Sequence, residues 1–160
     1  MAAEAVLGIS LGSRRIGIAV QENGRLVHWQ MQTFPGAWSH RKLKRIILAI
    51  FRHVELHAAG TIVIKIPDVF PTSKAFSQLI GCLNLTAISK KISIRYYTLS
   101  ELKQKLGDSE EISRICLIES IVKLHPELLP EYQRENRNKE RYYFKLFEAV
   151  LCTEMYRWGD

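Results

Sequence analysis

No apolar run in this sequence approaches the 18 or more residues that a membrane-crossing helix needs, so no membrane partner is expected. Cysteine is scarce. Cys82, Cys116 and Cys152 are widely spaced, odd in number and without a CxxC pair. That pattern argues against a disulfide framework and against a cysteine zinc site; the expectation is buried free thiols in a reducing cytoplasm. The opening, MAAEAVLGIS, lacks a basic leader and carries Glu4, so it does not read as a secretion signal. Internal repeats, low-complexity tracts and a domain-dividing linker are missing as well. What is there is ordinary for a globule: 160 residues, 47% hydrophobic and 24% charged. One domain over residues 1–160 is expected. Acids are outnumbered, with 16 Asp and Glu against 23 Lys and Arg, a net charge of +7. That balance favours a polyanionic partner without requiring one, because basic charge also keeps proteins soluble.

Periodicity supplies the elements. Residues 5–10 read as a short buried strand, 11–15 as a turn in which Gly12 meets a positive φ, and 16–20 as a second strand. Asn23-Gly24 is a strong hairpin signal, and a third strand runs from Arg25 to about Thr33. From about Ser39 the period becomes helical, with Leu43, Ile46, Ile47, Ile50, Phe51 and Val54 on one stripe, until Ala59-Gly60. Residues 61–66 are apolar enough for a strand covered on both faces, as in a parallel sheet. A helix over 73–84, a strand over 91–98 and a short helix over 100–106 follow. Asp108 and Glu111 have the spacing of a capping box opening a helix to Leu124. Residues 126–138 read as a polar connection and 139–158 as the last helix. The order βββ-α-β-α-β-α-α-α predicts an α/β fold: a five-stranded mixed sheet, three strands antiparallel and two parallel, flanked by helices.

Two motifs tempt and fail. Gly8 to Gly12 spells GxSxG, but a nucleophile elbow needs a helix after the serine, and here a turn and a strand follow. His53 and His57 stand one helical turn apart, a spacing that can bind zinc. HExxH would need Glu directly after the first His, where this chain has Val54. Two exposed histidines at the end of a surface helix are the expectation, and no metal centre is expected.

The run LGISLGSRRIGIAV over residues 7–20 resembles the first-strand motif of the RuvC-type Holliday junction resolvases and their YqgF relatives. IVIKIPDVF over 62–70 is similar to their fourth strand, and RYYTLSELKQKLG over 95–107 to the stretch that follows. KLFEA over 145–149 falls where the family carries a pair of acids on its last helix. The resemblance implies an RNase H-like fold. It also implies metal-dependent phosphodiester cleavage, in which several carboxylates hold two divalent cations that clamp the attacking and leaving oxygens. Mg²⁺ or Mn²⁺ would be the cofactor, bound through hard oxygen ligands.

The residues at those positions do not suit the cations. Carried over one by one, the strand-one Asp is Ser10, the strand-four Glu is Lys65, and the last-helix pair is Lys145 and Glu148. Two ammonium groups would stand where the cations should sit, an electrostatic conflict at close range. Lys65 lies inside an apolar strand and must reach the strand end or find a partner; it either pairs with Glu148 across the vestigial site, or the two side chains reach solvent separately. Asp68 and Glu101 are the acids from which a site could be rebuilt. The family reading therefore becomes a noncatalytic pseudoenzyme with no cofactor, binding DNA or RNA. Arg14, Arg15, Lys74, Arg137, Lys139 and Arg141 are candidate phosphate contacts, with Tyr142 and Tyr143 among them for stacking. Two alternatives stay open. One is a nuclease with a rebuilt acidic site. The other is an interaction scaffold; the resolvases are dimers, and a homodimer hiding the cleft would fit that role.

Overall fold

Turn chemistry and alternation build the first half of the sheet. The structure, a computed structural model, describes residues 4–67, 73–106, 114–137 and 142–158. Strands β1 (Ala5–Ser10), β2 (Arg15–Glu22) and β3 (Arg25–Thr33) form an antiparallel meander. Asn23 and Gly24 make the tight turn between β2 and β3 with φ of 52° and 78°, as a two-residue hairpin loop requires. Helix α1 (His40–His57) opens at Ser39, whose Oγ accepts from the Lys42 N–H at 3.1 Å. It closes on Ala58, held left-handed at φ 51°. Strand β4 (Ala59–Ile66) then joins β1 in parallel, helix α2 (Lys74–Lys90) crosses back, and β5 (Ser93–Thr98) joins β4 in parallel. The sheet order is β3-β2-β1-β4-β5. Helices α3 (Leu99–Leu106), α4 (Arg114–Leu124), α5 (Leu129–Arg137) and α6 (Phe144–Trp158) complete the described chain, with a 3-10 turn at Pro126–Leu128 before α5.

The period of two divides the core. Leu7, Ile9, Ile16, Ile18, Ile62 and Ile64 point to the face that α1 and α2 cover with Ile46, Ile50, Leu79 and Leu83. Val6, Ala19 and Val63 point to the other face, against Phe147, Val150 and Leu151 of α6. Each such side chain contributes roughly 1.5–3 kcal/mol by leaving water. Every residue of α6 from Leu146 to Met155 is buried, because α3 and α4 pack over its outer side. Two strand glycines set the approach of α6. A Cβ on Gly8 would stand 2.1 Å from the Ala149 carbonyl oxygen, and one on Gly17 would stand 2.1 Å from that of Lys145. Glycine here serves contact between helix backbone and strand backbone.

Several expectations need correction. Residues 129–137 form α5 and are not a polar connection; the helix has no apolar stripe to betray it, and it is tied down when Glu135 accepts from the Tyr143 N–H at 2.5 Å. The last helix begins at Phe144 rather than at 139, and α2 continues to Lys90. Ala59 and Gly60 already belong to β4. Gly12 does not occupy the left-handed region. Cys116 is exposed and Cys82 partly so, leaving only Cys152 buried; none of the three forms a disulfide. His53 is buried rather than exposed. The capping pair Asp108 and Glu111 lies outside the described residues. No described helix is long and apolar enough to cross a membrane.

Candidate functional site at the strand ends

Parallel pairing of β1 and β4 puts Ser10 directly beside Lys65. Ser10 ends β1, Lys65 is the last but one residue of β4, and both side chains fall on the α6 face, since Val63 and Gly8 on the same alternation contact that helix. The close docking of α6 then brings Glu148 between them. Ser10 Oγ donates to Glu148 Oε1 at 2.9 Å. Lys65 Nζ lies 3.2 Å from Glu148 Oε2, a close ion pair without the alignment of a hydrogen bond. Glu148 is 2% exposed and Lys65 18%, so the carboxylate is buried and the ammonium reaches the rim. A buried carboxylate needs both charge and hydrogen bonds around it, and these two neighbours supply them.

Lys145, one turn before Glu148, folds over the first turn of the meander. Its Nζ donates to the Leu11 carbonyl at 3.0 Å. Its stem presses on Gly12, where a Cβ would stand 2.9 Å from Cε. Burial pushes the Lys145 pKa down, and the nearby Lys65 charge adds to that, with Glu148 working against both. Two ammonium groups and one carboxylate thus share the strand ends. The Cys152 thiol, one turn beyond Glu148, is pushed far above its ordinary range by burial and by the Glu148 charge. It has no thiolate to offer a ligand or a substrate.

The acids available for a rebuilt site do not gather here. Glu101 is exposed and occupied as a helix cap: its Oε1 accepts from the Thr98 N–H at 3.2 Å and from Thr98 Oγ1 at 3.1 Å. It lines a cavity of about 430 Å³ with Tyr97, Gln104, Lys105 and Met155. Met155 is two turns along α6 from Glu148, roughly 10 Å by helix rise. Asp68 lies outside the described residues. Among the described residues, no group of three His, Cys, Asp or Glu is placed to hold a metal ion. A two-cation clamp asks for a larger acidic set than Glu148 supplies.

The candidate phosphate contacts divide. Arg15 is half-buried, with its guanidinium 4.8 Å from the centre of the Tyr142 ring. Tyr142 in turn meets Tyr143 edge to face, with centroids 4.8 Å apart. Arg14, Lys74 and Arg137 are exposed. Lys139 and Arg141 lie outside the described residues. Arg15 and Tyr142 therefore form a cation–aromatic pair.

Sequence reasoning missed a second charged cluster under α6. His125 pairs with Glu154 through Nε2, and Gln21 donates to Glu154 Oε1 at 2.7 Å. Glu127 lies 3.3 Å from His125 Nδ1, and Arg157 stands 3.6 Å from Glu154 Oε2. Burial pulls the His125 pKa down, but Glu154 and Glu127 outweigh it and hold it above the ordinary value. Burial likewise raises Glu154, yet His125, Gln21 and Arg157 bring it below the ordinary carboxylate value. The signal was available: Glu154 sits inside the apolar run VLCTEM and needed a partner.

No protein-family model matches this chain, and the curated proteins contain no match to it. Solved structures do match. The RuvC structure from Thermus thermophilus superposes with a TM-score of 0.71 at 14% identity, covering 97% of this chain and 96% of the other. T. thermophilus RuvC in complex with Holliday junction substrate gives a TM-score of 0.70 at 13% identity, with 98% and 96% covered. The agreement spans the meander, both parallel strands and the flanking helices, and at this identity it speaks for the fold. The chain has the RNase H-like fold of RuvC, with Ser10, Lys65, Lys145 and Glu148 gathered at the ends of its central strands.

Proposed function

We propose that this protein is a noncatalytic, RuvC-like protein that binds nucleic acid without metal-dependent cleavage. The observation that carries the reading is the Lys65–Glu148 ion pair at 3.2 Å, closed by the Ser10 hydrogen bond at 2.9 Å. Among the described residues, the one acid at these strand ends is already paired with an ammonium group, and the Lys145 ammonium stands one turn away. A divalent cation entering there would have to displace a bound positive charge and then face a second one. The same charges suit an intact phosphodiester, which needs cations near it and no activated water. Arg15 with Tyr142, and the exposed Arg14, Lys74 and Arg137, extend that positive surface. The likeness to a resolvase solved on a Holliday junction supports DNA as the first ligand to try.

The test is a binding titration with a four-way junction, linear duplex, single-stranded DNA and RNA at two salt concentrations, run beside a nuclease assay with Mg²⁺ and with Mn²⁺. The expected result is binding that weakens steeply with salt. With about four phosphate contacts, affinity falls roughly a hundredfold from 50 to 200 mM salt. No cleavage is expected with either metal. Cleavage abolished by Glu148→Ala would establish the nuclease reading in its place. Absence of binding at low salt would leave the scaffold reading, to be followed by measuring whether the chain self-associates.

A further inference from the structure

The net charge of +7 is not spread along the chain. Residues 40–91 hold nine Lys and Arg against two acids, a balance of +7, and the rest of the chain holds fourteen of each. That stretch runs through α1, β4 and α2, and its two helices cover the sheet face opposite α6. Of its cations, Lys65 belongs to the strand-end site, Lys42 is buried and donates to the Gly36 carbonyl at 2.7 Å, and Lys90 pairs with Glu55 at 3.3 Å. Arg41, Lys44, Arg45, Arg52, Lys74 and Lys91 are exposed, and none lies within ion-pair distance of an acid among the described residues.

Their placement works against the helices that carry them. Neither α1 nor α2 has an acid in its first turn, where Arg41 and Lys74 stand instead. A cation there opposes the positive end of the helix dipole, and a bound anion relieves that repulsion. The layer also meets the strand-end site. Thr33 pairs with Arg15 and Lys65 with Ser10, so β3 and β4 finish at one rim. The chain leaving β3 is held there by the Phe34 N–H, which donates to the Arg14 carbonyl at 2.6 Å. At its far end α1 hands over to β4 on the opposite edge, where Ala59 pairs with Ala5. The 18 residues of α1 span about 27 Å, close to the length of an eight-residue strand. Its first turn therefore lies back at the rim that holds Ser10, Lys65, Arg14 and Arg15.

We propose, resting on nucleic-acid binding at the strand ends, that the bound nucleic acid continues over the rim onto the outer face of α1, where Arg41, Lys44, Arg45 and Arg52 hold its phosphates. The row from Arg41 to Arg52 is roughly 16 Å long by helix rise, room for about five phosphates of one strand at 3.4 Å each. Cations on long, mobile stems at such spacing grip a backbone and read no base, so this contact is independent of sequence. The charge selects the occupant. α1 presents one acid, Glu55, and that acid is paired at the end away from the rim. An anionic lipid surface would also answer the charge, but a helix lying on lipid needs a continuous apolar face. The apolar stripe of α1 from Leu43 to Val54 is buried against the sheet, and of its large apolar side chains only Leu48 and Leu56 are exposed.

The test uses the whole chain and three double variants, titrated with a four-way junction and with linear duplex DNA across a series of salt concentrations. Arg41→Gln with Arg45→Gln, and Lys44→Gln with Arg52→Gln, each remove two charges from α1. Lys105→Gln with Lys123→Gln removes two exposed charges from α3 and α4, on the other face, and leaves the same net charge. Each α1 pair is expected to lower the salt slope by about two and to weaken binding at least about tenfold. The control pair leaves both nearly as in the parent, and the melting temperature of the Arg41→Gln, Arg45→Gln variant stays level or rises as the dipole repulsion goes. Parent-like binding by both α1 pairs would overturn the proposal and leave the strand-end reading standing. An equal loss in the control pair would also overturn it, by showing that net charge acts wherever it sits. A parent that binds neither DNA at low salt would end both. Vesicles of phosphatidylserine and phosphatidylcholine form the last arm: binding to them that the α1 pairs abolish, with DNA binding unmoved, would assign this face to a membrane surface and overturn the proposal.

Discussion

Replacing Lys65 with methionine tests the charge balance at the strand ends. Methionine keeps the length and apolar stem of lysine and removes the ammonium. Glu148, at 2% exposure, then keeps its hydrogen bond from Ser10 but loses its paired cation. Removing one partner of a buried pair costs about 3–5 kcal/mol, because the remaining charge is uncompensated. The Lys145 ammonium, one turn away, offsets part of that, so the lower end applies: about 3 kcal/mol. In a domain of this size each kcal/mol moves the melting temperature by about 2–4 °C. Lys65→Met is therefore expected to melt roughly 6–12 °C below the parent. The double variant Lys65→Met with Glu148→Gln removes both charges and keeps an acceptor for Ser10. It should return to within about 1 kcal/mol of the parent, since a buried pair replaced by neutral groups is often no loss. Urea unfolding of the parent, both single variants and the double variant gives the coupling energy directly. A coupling below about 0.5 kcal/mol, the scale of an exposed surface pair, would refute the reasoning. The ion pair would then be incidental, and the argument against a cation at this site would fall with it.

Other outcomes follow from the same physics. His125 is held above its ordinary value of 6.5, so its share of stability is full below that pH and is lost as pH rises through the raised folded value. Glu154 is held below its ordinary value of 4.5, so its share is present above 4.5 and is lost as acid reaches the lowered folded value. Stability from this pair should peak between about pH 4.5 and 6.5 in urea titrations, and His125→Gln should flatten that peak. Gly17→Val should fail to fold or lose more than about 4 kcal/mol, because its Cβ would fall 2.1 Å from the Lys145 carbonyl oxygen; a melting temperature near the parent would show that α6 can retreat. Ala58→Gly should stabilise the chain by about 0.5–1 kcal/mol, relieving a left-handed alanine at φ 51°, as read by the urea midpoint. Arg15→Ala should weaken nucleic-acid binding and lower its salt slope by about one, while leaving the melting temperature nearly unchanged.

The order of strands and helices along the chain as far as β5 was legible because each signal was local. Asn23-Gly24 dictated a hairpin, the apolar stripe from Leu43 to Val54 dictated a helix, and the run from Thr61 to Ile66 demanded cover on both faces. α5 was not legible, since its nine residues carry no apolar face and it is held by contacts made outside it. Ser10, Lys65, Lys145 and Glu148 could be named from the sequence, and so could the conflict of charge among them. A Lys65–Glu148 pair could be put forward as one of two outcomes, but the geometry that brings it about could not. It depends on the β1–β4 register that sets Ser10 beside Lys65, and on Gly8 and Gly17 letting α6 come close enough for Glu148 to reach both. The His125–Glu154 pair lay further out of reach. Gln21 and Glu154 are separated by 133 positions, and nothing local ties such residues together. Periodicity records which side of its own element a residue takes. Which residues of other elements it meets is decided when the helices pack against the sheet.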